Sequence, residues 1–409
     1  MLRLIENEEK VQTEVRSVLD NIVREGARKM LITALQCEVE EYVSRYEGEK
    51  DEENRRLVTR HGKAQKRTIL TGAGPLEIEM PRVRDRRKYE KFISKILPPY
   101  MRKSPNVAEV IPVLYLRGLS TGDFSEGLSA LFGTGAAGLS ATTISRLTNV
   151  WKGEYAAFKN QRFEGKQFAY IWADGIHFRV RLDNERLCTL VLMGVREDGS
   201  KELIAVEDGF RESTESWSEV LRDLKRRGLQ PPALAIADGA LGFWKAVGDV
   251  WPETKQQRCW VHKLGNVLDK LPKRSQPRAK QMLHEIMAAE SKKNAEEGIK
   301  DFVEMYEEKY PKAVNNLTKD IDRLLTFFDF PAAHWKHIRS TNAIESAFAT
   351  VRLRQRVTKG AGSRIKALTM AFKLLDMAEK RWRRISAPHL VKGILSNEVY
   401  ENGVKVDAA

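Results

Sequence analysis

Tyr170-Ile171-Trp172-Ala173-Asp174-Gly175 and Ala233-Leu234-Ala235-Ile236-Ala237-Asp238-Gly239 decide the reading of this chain: each is a short apolar run that ends in Ala-Asp-Gly. Such runs read as buried strands. An Asp at the end of a strand sits on the rim of a sheet, where α/β folds bind ligands. Asp-Gly is also a favoured turn pair, so either Asp alone reads as a turn residue. The neighbouring segments change that reading. Residues 167–182 alternate and form a first strand, followed by apolar strands over 187–195 and 202–206 with the tight-turn signal Glu197-Asp198-Gly199-Ser200 between them. An amphipathic helix over 216–227 closes at Gly228, and Pro231-Pro232 leads into the Asp238 strand. A helix over 241–250 and a short strand over 257–261 complete a β-β-β-α-β-α-β order. The first three strands form a meander and the fourth needs a helical crossover. In that order the ends of strands one and four lie side by side. Asp174 and Asp238 then face each other, and two carboxylates so placed need a metal or a proton.

Outward from this block the period changes. Residues 263–335 are charged and helical, punctuated by Pro311 and Pro331, with no strand signal, and read as an all-α insertion. Helical patterning resumes at Ser340 and runs to about 385, broken by Gly360 and Gly362. On the other side, residues 1–48 carry apolar residues at three- and four-residue steps, which fits either a core face or a dimer face. Residues 68–70 and 76–80 flank Thr71-Gly72-Ala73-Gly74-Pro75 and predict a hairpin that Pro81 stops. Residues 83–104 read as a basic loop. Residues 107–158 read as three short helices. Ser140 caps the last, over 141–155, whose first turns carry Thr142, Thr143, Ser145 and Arg146, a pattern resembling a helix-turn-helix module.

A third carboxylate joins the two Asp residues. Glu345, in Arg339-Ser340-Thr341-Asn342-Ala343-Ile344-Glu345, could complete a capping box with Asn342. It also opens the most basic part of the chain: from Lys336 to Arg384 thirteen Lys and Arg stand against three acids. Two Asp and one Glu supply the hard oxygen ligands that Mg²⁺ prefers, with Mn²⁺ a possible substitute. A pair of such ions about 3.5–4 Å apart can activate an attacking oxygen and stabilise a leaving oxygen of a phosphodiester. Cys259-Trp260-Val261-His262 is either half of a zinc site or a packed strand-end pair; without a second Cys-x-x-Cys or His-x-x-x-His the packed pair is the simpler reading. His177 and Arg179 follow Asp174 on strand one and are expected to share its face. His334 and His337 flank Trp335 and read as structural. No phosphate-binding Gly-rich loop opens a helix, which argues against a nucleotide partner.

The chain has 409 residues, 42% hydrophobic and 31% charged, with a formal net charge of +14. That length suggests two to four domains. The positive balance excludes an acidic solvating protein and points to a polyanion. A second basic cluster spans Arg55, Arg56, Arg60, Lys63, Lys66 and Arg67, then Arg82, Arg84, Arg86, Arg87 and Lys88. No run of about 18 apolar residues suggests a membrane span, and the start lacks a signal-peptide core. Three cysteines cannot build a disulfide framework, so a reducing compartment, the cytoplasm with association to the nucleoid, is expected.

Four ordered motifs resemble the Mutator-type transposases of bacterial insertion sequences. They are Trp172-Ala173-Asp174-Gly175 with Val180-Arg181, Ile236-Ala237-Asp238-Gly239-Ala240, Gln257-Arg258-Cys259-Trp260-Val261-His262-Lys263, and Arg339 to Ser346. Tyr115 to Thr121 and Leu139 to Arg146 are similar to that family as well, so the likeness covers roughly residues 30–385. The resemblance implies an α+β multidomain protein with an RNase H-like α/β catalytic core, interrupted by the all-α insertion. Its DDE triad would be Asp174, Asp238 and Glu345, with Cys259 and His262 in the family's Cys/Asp-x-x-His element. It implies Mg²⁺-dependent cleavage at the ends of a mobile element and joining of the 3′-hydroxyl to target DNA, with two ions per site and double-stranded DNA as partner. Pairing two DNA ends argues for at least a dimer. The expected organisation is a helical region over 1–50, a basic hairpin region over 51–104, a helix-turn-helix-like domain over 105–160, core over 165–265 and 338–386, the insertion over 266–337 and a tail over 387–409. Bases would be read by Thr142, Thr143, Ser145 and Arg146, and phosphates held by Arg352, Arg354, Arg356 and Lys359. Two rivals are a non-catalytic DNA-binding regulator, which would need neither Mg²⁺ nor convergent carboxylates, and a structure-selective nuclease on the same core.

Overall fold

The structure, a computed structural model, describes residues 2–117, 126, 128, 141–179, 186–209, 211–239, 241–358 and 363–406. It divides into two compact units, Met1–Ser145 and Arg146–Ala409.

The first unit starts with one long helix, Leu2–Arg45. Leu31, Ile32 and Leu35 of this helix pack with Ile69, Leu76, Ile78 and Leu97 into a small core. The expected hairpin forms as β2 (Arg67–Thr71) and β3 (Gly74–Ile78), with Leu70 opposite Pro75. The stretch read as a basic loop differs. Pro81 begins a strand rather than ending one: β4 (Pro81–Asp85) pairs antiparallel with β1 (Val58–Lys63). Proline is tolerated as a strand's first residue. The alternation was hidden because charges occupy both faces: Arg82 and Arg84 are exposed, whereas Asp85 is buried against Arg87 and the Tyr42 hydroxyl. Those contacts hold the Asp85 carboxyl down at about 2. Helix Pro105–Arg117 follows. Most of the expected second helix and the turn before the third, residues 118–125, 127 and 129–140, lie outside the described residues.

The second unit is built on a five-stranded sheet of order β7 (201–209), β6 (186–196), β5 (168–179), β8 (234–237) and β9 (255–258). β5 (Phe168–Arg179), β6 (Arg186–Arg196) and β7 (Lys201–Gly209) form the antiparallel meander. β8 (Leu234–Ala237) and β9 (Lys255–Arg258) run parallel to β5, each reached through a helix, Thr214–Arg226 and Leu241–Val250. Alternation along β5 separates two faces. Ile171 and Ala173 enter the core under those two helices, with Trp217, Leu221, Leu224, Phe243 and Val247. Tyr170 and Trp172 point the other way: the Tyr170 hydroxyl meets His334 Nδ1 at 2.8 Å, and Trp172 Nε1 donates to the carbonyl of Ser340.

Between β9 and the helix Asn342–Thr358 the described chain has no strand, in keeping with the all-α insertion. Buried polar groups tie this segment to the sheet. Gln257 donates to Leu324 O and accepts from Phe327 N, while Arg258 and the fully buried Lys263 both pair with Asp320. The last strand of the five-stranded sheet is Lys255–Arg258, starting two residues and ending three residues earlier than read, because residue 259 turns the chain into helix Trp260–Leu268. The second half of helix Ala141–Lys159, expected to end a separate helical domain, packs on the sheet unit. Tyr155 donates to the Val206 carbonyl and Phe158 stacks with Phe372. His334 is wholly buried and His337 meets Ser386, so both serve packing. Among the described residues no helix is long and apolar enough to cross a membrane.

Candidate active site

Ala173 and Ala237 are directly paired in the parallel β5–β8 ladder, so Asp174 and Asp238 are the next residues on neighbouring strands. Both are half-buried where the β5–β8 pairing ends; Asp238 follows the end of β8, whereas Asp174 lies within β5, which runs on beside β6 to Arg179. Gly239, at φ +109°, turns the chain away immediately after Asp238, a conformation that favours glycine. Asp174 falls in step with Tyr170 and Trp172, on the face that receives the segment 339–345. Three contacts deliver that segment: Trp260 N donates to Arg339 O, Trp172 Nε1 to Ser340 O, and Thr341 N to Cys259 Sγ. Glu345 then follows in the first turn of helix Asn342–Thr358. The amide of Glu345 bonds to Thr341 O, and its carboxylate accepts from Thr341 Oγ1 at 2.5 Å. Thr341, rather than Asn342, therefore holds Glu345.

The carboxylates feel one another. Burial raises the Asp174 carboxyl to about 7, and the charges of Asp238, Glu212 and Glu345 push it the same way. Like charges gathered in a poorly hydrated site keep a proton unless a cation takes its place.

Cys259, buried directly after the strand Lys255–Arg258, and His262 lie beside Glu345. Cys259 precedes helix Trp260–Leu268, which carries His262 in its first turn. Cys259 Sγ, a His262 ring nitrogen and a Glu345 oxygen lie within 4.8 Å of one another. His262 Nδ1 stands 3.8 Å from Glu345 Oε1. The bond to Cys259 raises the imidazole to about 9 against the effect of burial, with Glu345 and Asp238 adding to the rise. Burial pushes the Cys259 thiol up, but the bonds from His262 and Thr341 outweigh it and the net shift is downward.

Two expectations need correction. His177 stands an odd number of residues from Asp174 and so lies on the opposite face of β5, where it is the cross-strand partner of Cys188, while Arg179 pairs with Arg186. Arg354 is 2% exposed, so it is not on the solvent face with Arg352 and Arg356, which are exposed. A helix places residues two apart on different faces. Arg146 is exposed in helix Ala141–Lys159, which also contains Thr142, Thr143 and Ser145, while Lys359 lies outside the described residues.

Sequence reasoning missed Glu212. It comes from the turn after β7 and lies over Gly175, where any Cβ would fall 2.3 Å from Glu212 Oε1. Burial raises its carboxyl, and Asp238 raises it further. No motif marks Glu212; the glycine after Asp174 was its one trace.

The family model described as "Transposase, Mutator family" matches residues 2–384. The chain belongs to the Mutator family of transposases. It is 54% identical over 297 residues to the transposase for insertion sequence element IS6120 of Mycolicibacterium smegmatis, covering 73% of this chain and 92% of that one. It is 47% identical to the IST2 transposase of Acidithiobacillus ferrooxidans, over 68% of this chain and 95% of the relative. A more distant relative is the IS256 transposase in Tn4001 of Staphylococcus aureus, 26% identical over 85% of this chain and 88% of its own length. Membership in this Mutator family supports a role in DNA transposition.

Proposed function

We propose that this chain binds the ends of an insertion sequence and catalyses Mg²⁺-dependent strand cleavage and strand transfer, with Asp174, Asp238 and Glu345 as the ligand set. The register that places Asp174 and Asp238 side by side carries the reading. The meander followed by two parallel crossover strands supports an RNase H-like assignment. The donor set fits the metal: three half-buried carboxylates, one of them raised to about 7 first by burial and then by its neighbours' charge, are hard oxygen donors short of positive charge. When bound, two Mg²⁺ ions would activate the attacking oxygen and neutralise charge at the phosphodiester.

The chain's own groups prepare that site. Thr341 fixes the Glu345 carboxylate by donating to it. The protonated His262, beside Glu345, offsets part of the negative charge while its partner Cys259 ties helix Trp260–Leu268 to the 339–341 segment. Arg352 and Arg356, exposed on the Glu345 helix, would hold DNA phosphates near the carboxylates. Base reading by Thr142, Thr143, Ser145 and Arg146, and a dimer that pairs two ends, complete the proposal.

The test uses Asp174→Ala, Asp238→Ala and Glu345→Ala in a full-length protein with end DNA. Each should lower strand cleavage by on the order of 10³-fold or more, several kcal/mol of transition-state stabilisation, and leave end binding nearly unchanged. Near-normal cleavage by Asp174→Ala would refute the ligand assignment. Joined products distinguish a transposase from a nuclease on the same core.

A further inference from the structure

A second convergence of metal-ligating side chains lies on the other face of β5. His177 and Cys188 are cross-strand partners in β5 and β6, so both side chains leave the sheet on one side. Glu212 reaches them from the turn between β7 and helix Thr214–Arg226. A His177 ring nitrogen, Cys188 Sγ and a Glu212 oxygen all lie within 4.8 Å of one another, and His177 Nε2 is 3.6 Å from Glu212 Oε1. Ligands at tetrahedral zinc, with bonds of about 2.0–2.3 Å, sit roughly 3.3–3.8 Å apart. The three donors therefore need to close by at most about 1–1.5 Å to share one ion. We propose that His177, Cys188 and Glu212 form a binding site for a borderline-soft divalent cation of the zinc class, separate from the all-oxygen site of Asp174, Asp238 and Glu345.

Two glycines make room for Glu212. A Cβ on Gly175 would lie 2.3 Å from Glu212 Oε1, and a Cβ on Gly242 would lie 2.4 Å from Glu212 O. The carboxylate is thus seated between elements rather than left on the surface. Its surroundings are anionic. Burial pushes the Cys188 thiol up to about 12, and Glu212, Asp208 and Asp174 add to the rise, so no thiolate forms there until a cation arrives. The donor types separate this site from the catalytic one. Nitrogen and sulfur suit zinc, whereas Mg²⁺ takes oxygen and dehydrates reluctantly. An ion here would pin the turn after β7 to β5 and β6 and fix Glu212 beside Gly175. The proposal rests on geometry and donor chemistry, and it stands or falls apart from the DNA-cleavage reading.

Cys259, His262 and Glu345 form the competing cluster, so the experiment must distinguish the two. Full-length protein stripped with chelator is titrated with Co²⁺, without Mg²⁺ or DNA, and then with Zn²⁺. The expected result is tetrahedral cobalt bands with a thiolate-to-cobalt charge-transfer band that Zn²⁺ displaces. Cys188→Ser should remove one equivalent together with its charge-transfer intensity, and Cys259→Ser should leave that equivalent in place. His177→Asn and Glu212→Gln should each weaken Zn²⁺ binding at least ~10-fold, the scale of losing even an outer-shell partner. His177 is partly exposed, so His177→Asn keeps the test valid if Cys188→Ser fails to fold. The site is overturned if wild-type protein shows no thiolate band, if the band survives in Cys188→Ser and vanishes in Cys259→Ser, or if folded His177→Asn binds Zn²⁺ as tightly as wild type.

Discussion

Asp174 concentrates the electrostatics of the candidate site in one carboxyl group. Burial first, then Asp238, Glu212 and Glu345, lift it from 3.8 to about 7. In metal-free protein the folded state therefore holds a proton on Asp174 between about pH 4 and 7 that the unfolded chain has released. Stability contributed by this group falls as pH rises through that window, because the folded state binds more protons there. Thermal unfolding across that range should show the decline, and Asp174→Asn should flatten it. Activity has the opposite sign. Below pH 7 the proton competes with the cation for the same oxygens. Cleavage should drop as pH falls through about 7, and raising Mg²⁺ should move that limb toward acid. A pH profile unmoved by Mg²⁺ would contradict the shared-oxygen picture.

At the scale of elements, the turn after β8 and the helix bearing Glu345 make separable demands. Gly239 combines φ +109° with the Arg258 guanidinium carbon only 2.5 Å from where a Cβ would stand. Arg258 is itself anchored to Asp320. Gly239→Ala should cost ~1–3 kcal/mol of stability, the usual range for a strained backbone position. Gly248, in helix Leu241–Val250, has nothing within 4 Å of its Cβ position and is exposed. Gly248→Ala should stabilise by ~0.5–1 kcal/mol through helix propensity. Urea midpoints moving in opposite directions would confirm both. On the Glu345 helix, Arg352→Ala and Arg356→Ala should each reduce the slope of log affinity against log salt by ~1. Arg354 makes no such contact from its buried position, and Arg354→Ala should instead lower stability.

For the whole molecule, the division near residue 145 bears on where the sheet unit begins. Trp151 and Tyr155 are buried, Tyr155 donates to Val206 O, and Glu154 pairs with Lys373 at 2.7 Å. A fragment of residues 146–409 retains these contacts, and one of 160–409 loses them. At ~1.5–3 kcal/mol for each large buried side chain, the shorter fragment should be less stable by roughly 3–6 kcal/mol. Denaturant unfolding of the two fragments measures the difference. Equal stability would mean that the helix Ala141–Lys159 contributes nothing to the sheet unit.

Strand order and the two Asp positions were legible because they follow from local pattern. Alternation and apolar runs mark β5 to β8, and a crossover helix brings β8 beside β5, so Asp174 and Asp238 each follow a residue of one directly paired position. Glu345 was legible through its motif, although the local capping reading competed with it. Other features depended on contacts between segments far apart in the chain. The pairing of β1 with β4 spans a hairpin, and the charges on β4 mask its alternation. Cys259 and His262 meet Glu345 only when helix Trp260–Leu268 packs beside the 339–341 segment. Glu212 reaches Gly175 from another strand's turn, and Arg354 points inward because of what covers its helix. Periodicity records which face of an element is apolar, and so it determined the elements and their order along the sheet. It carries no record of which distant side chain fills the space beside a glycine, and that choice was made by packing in three dimensions.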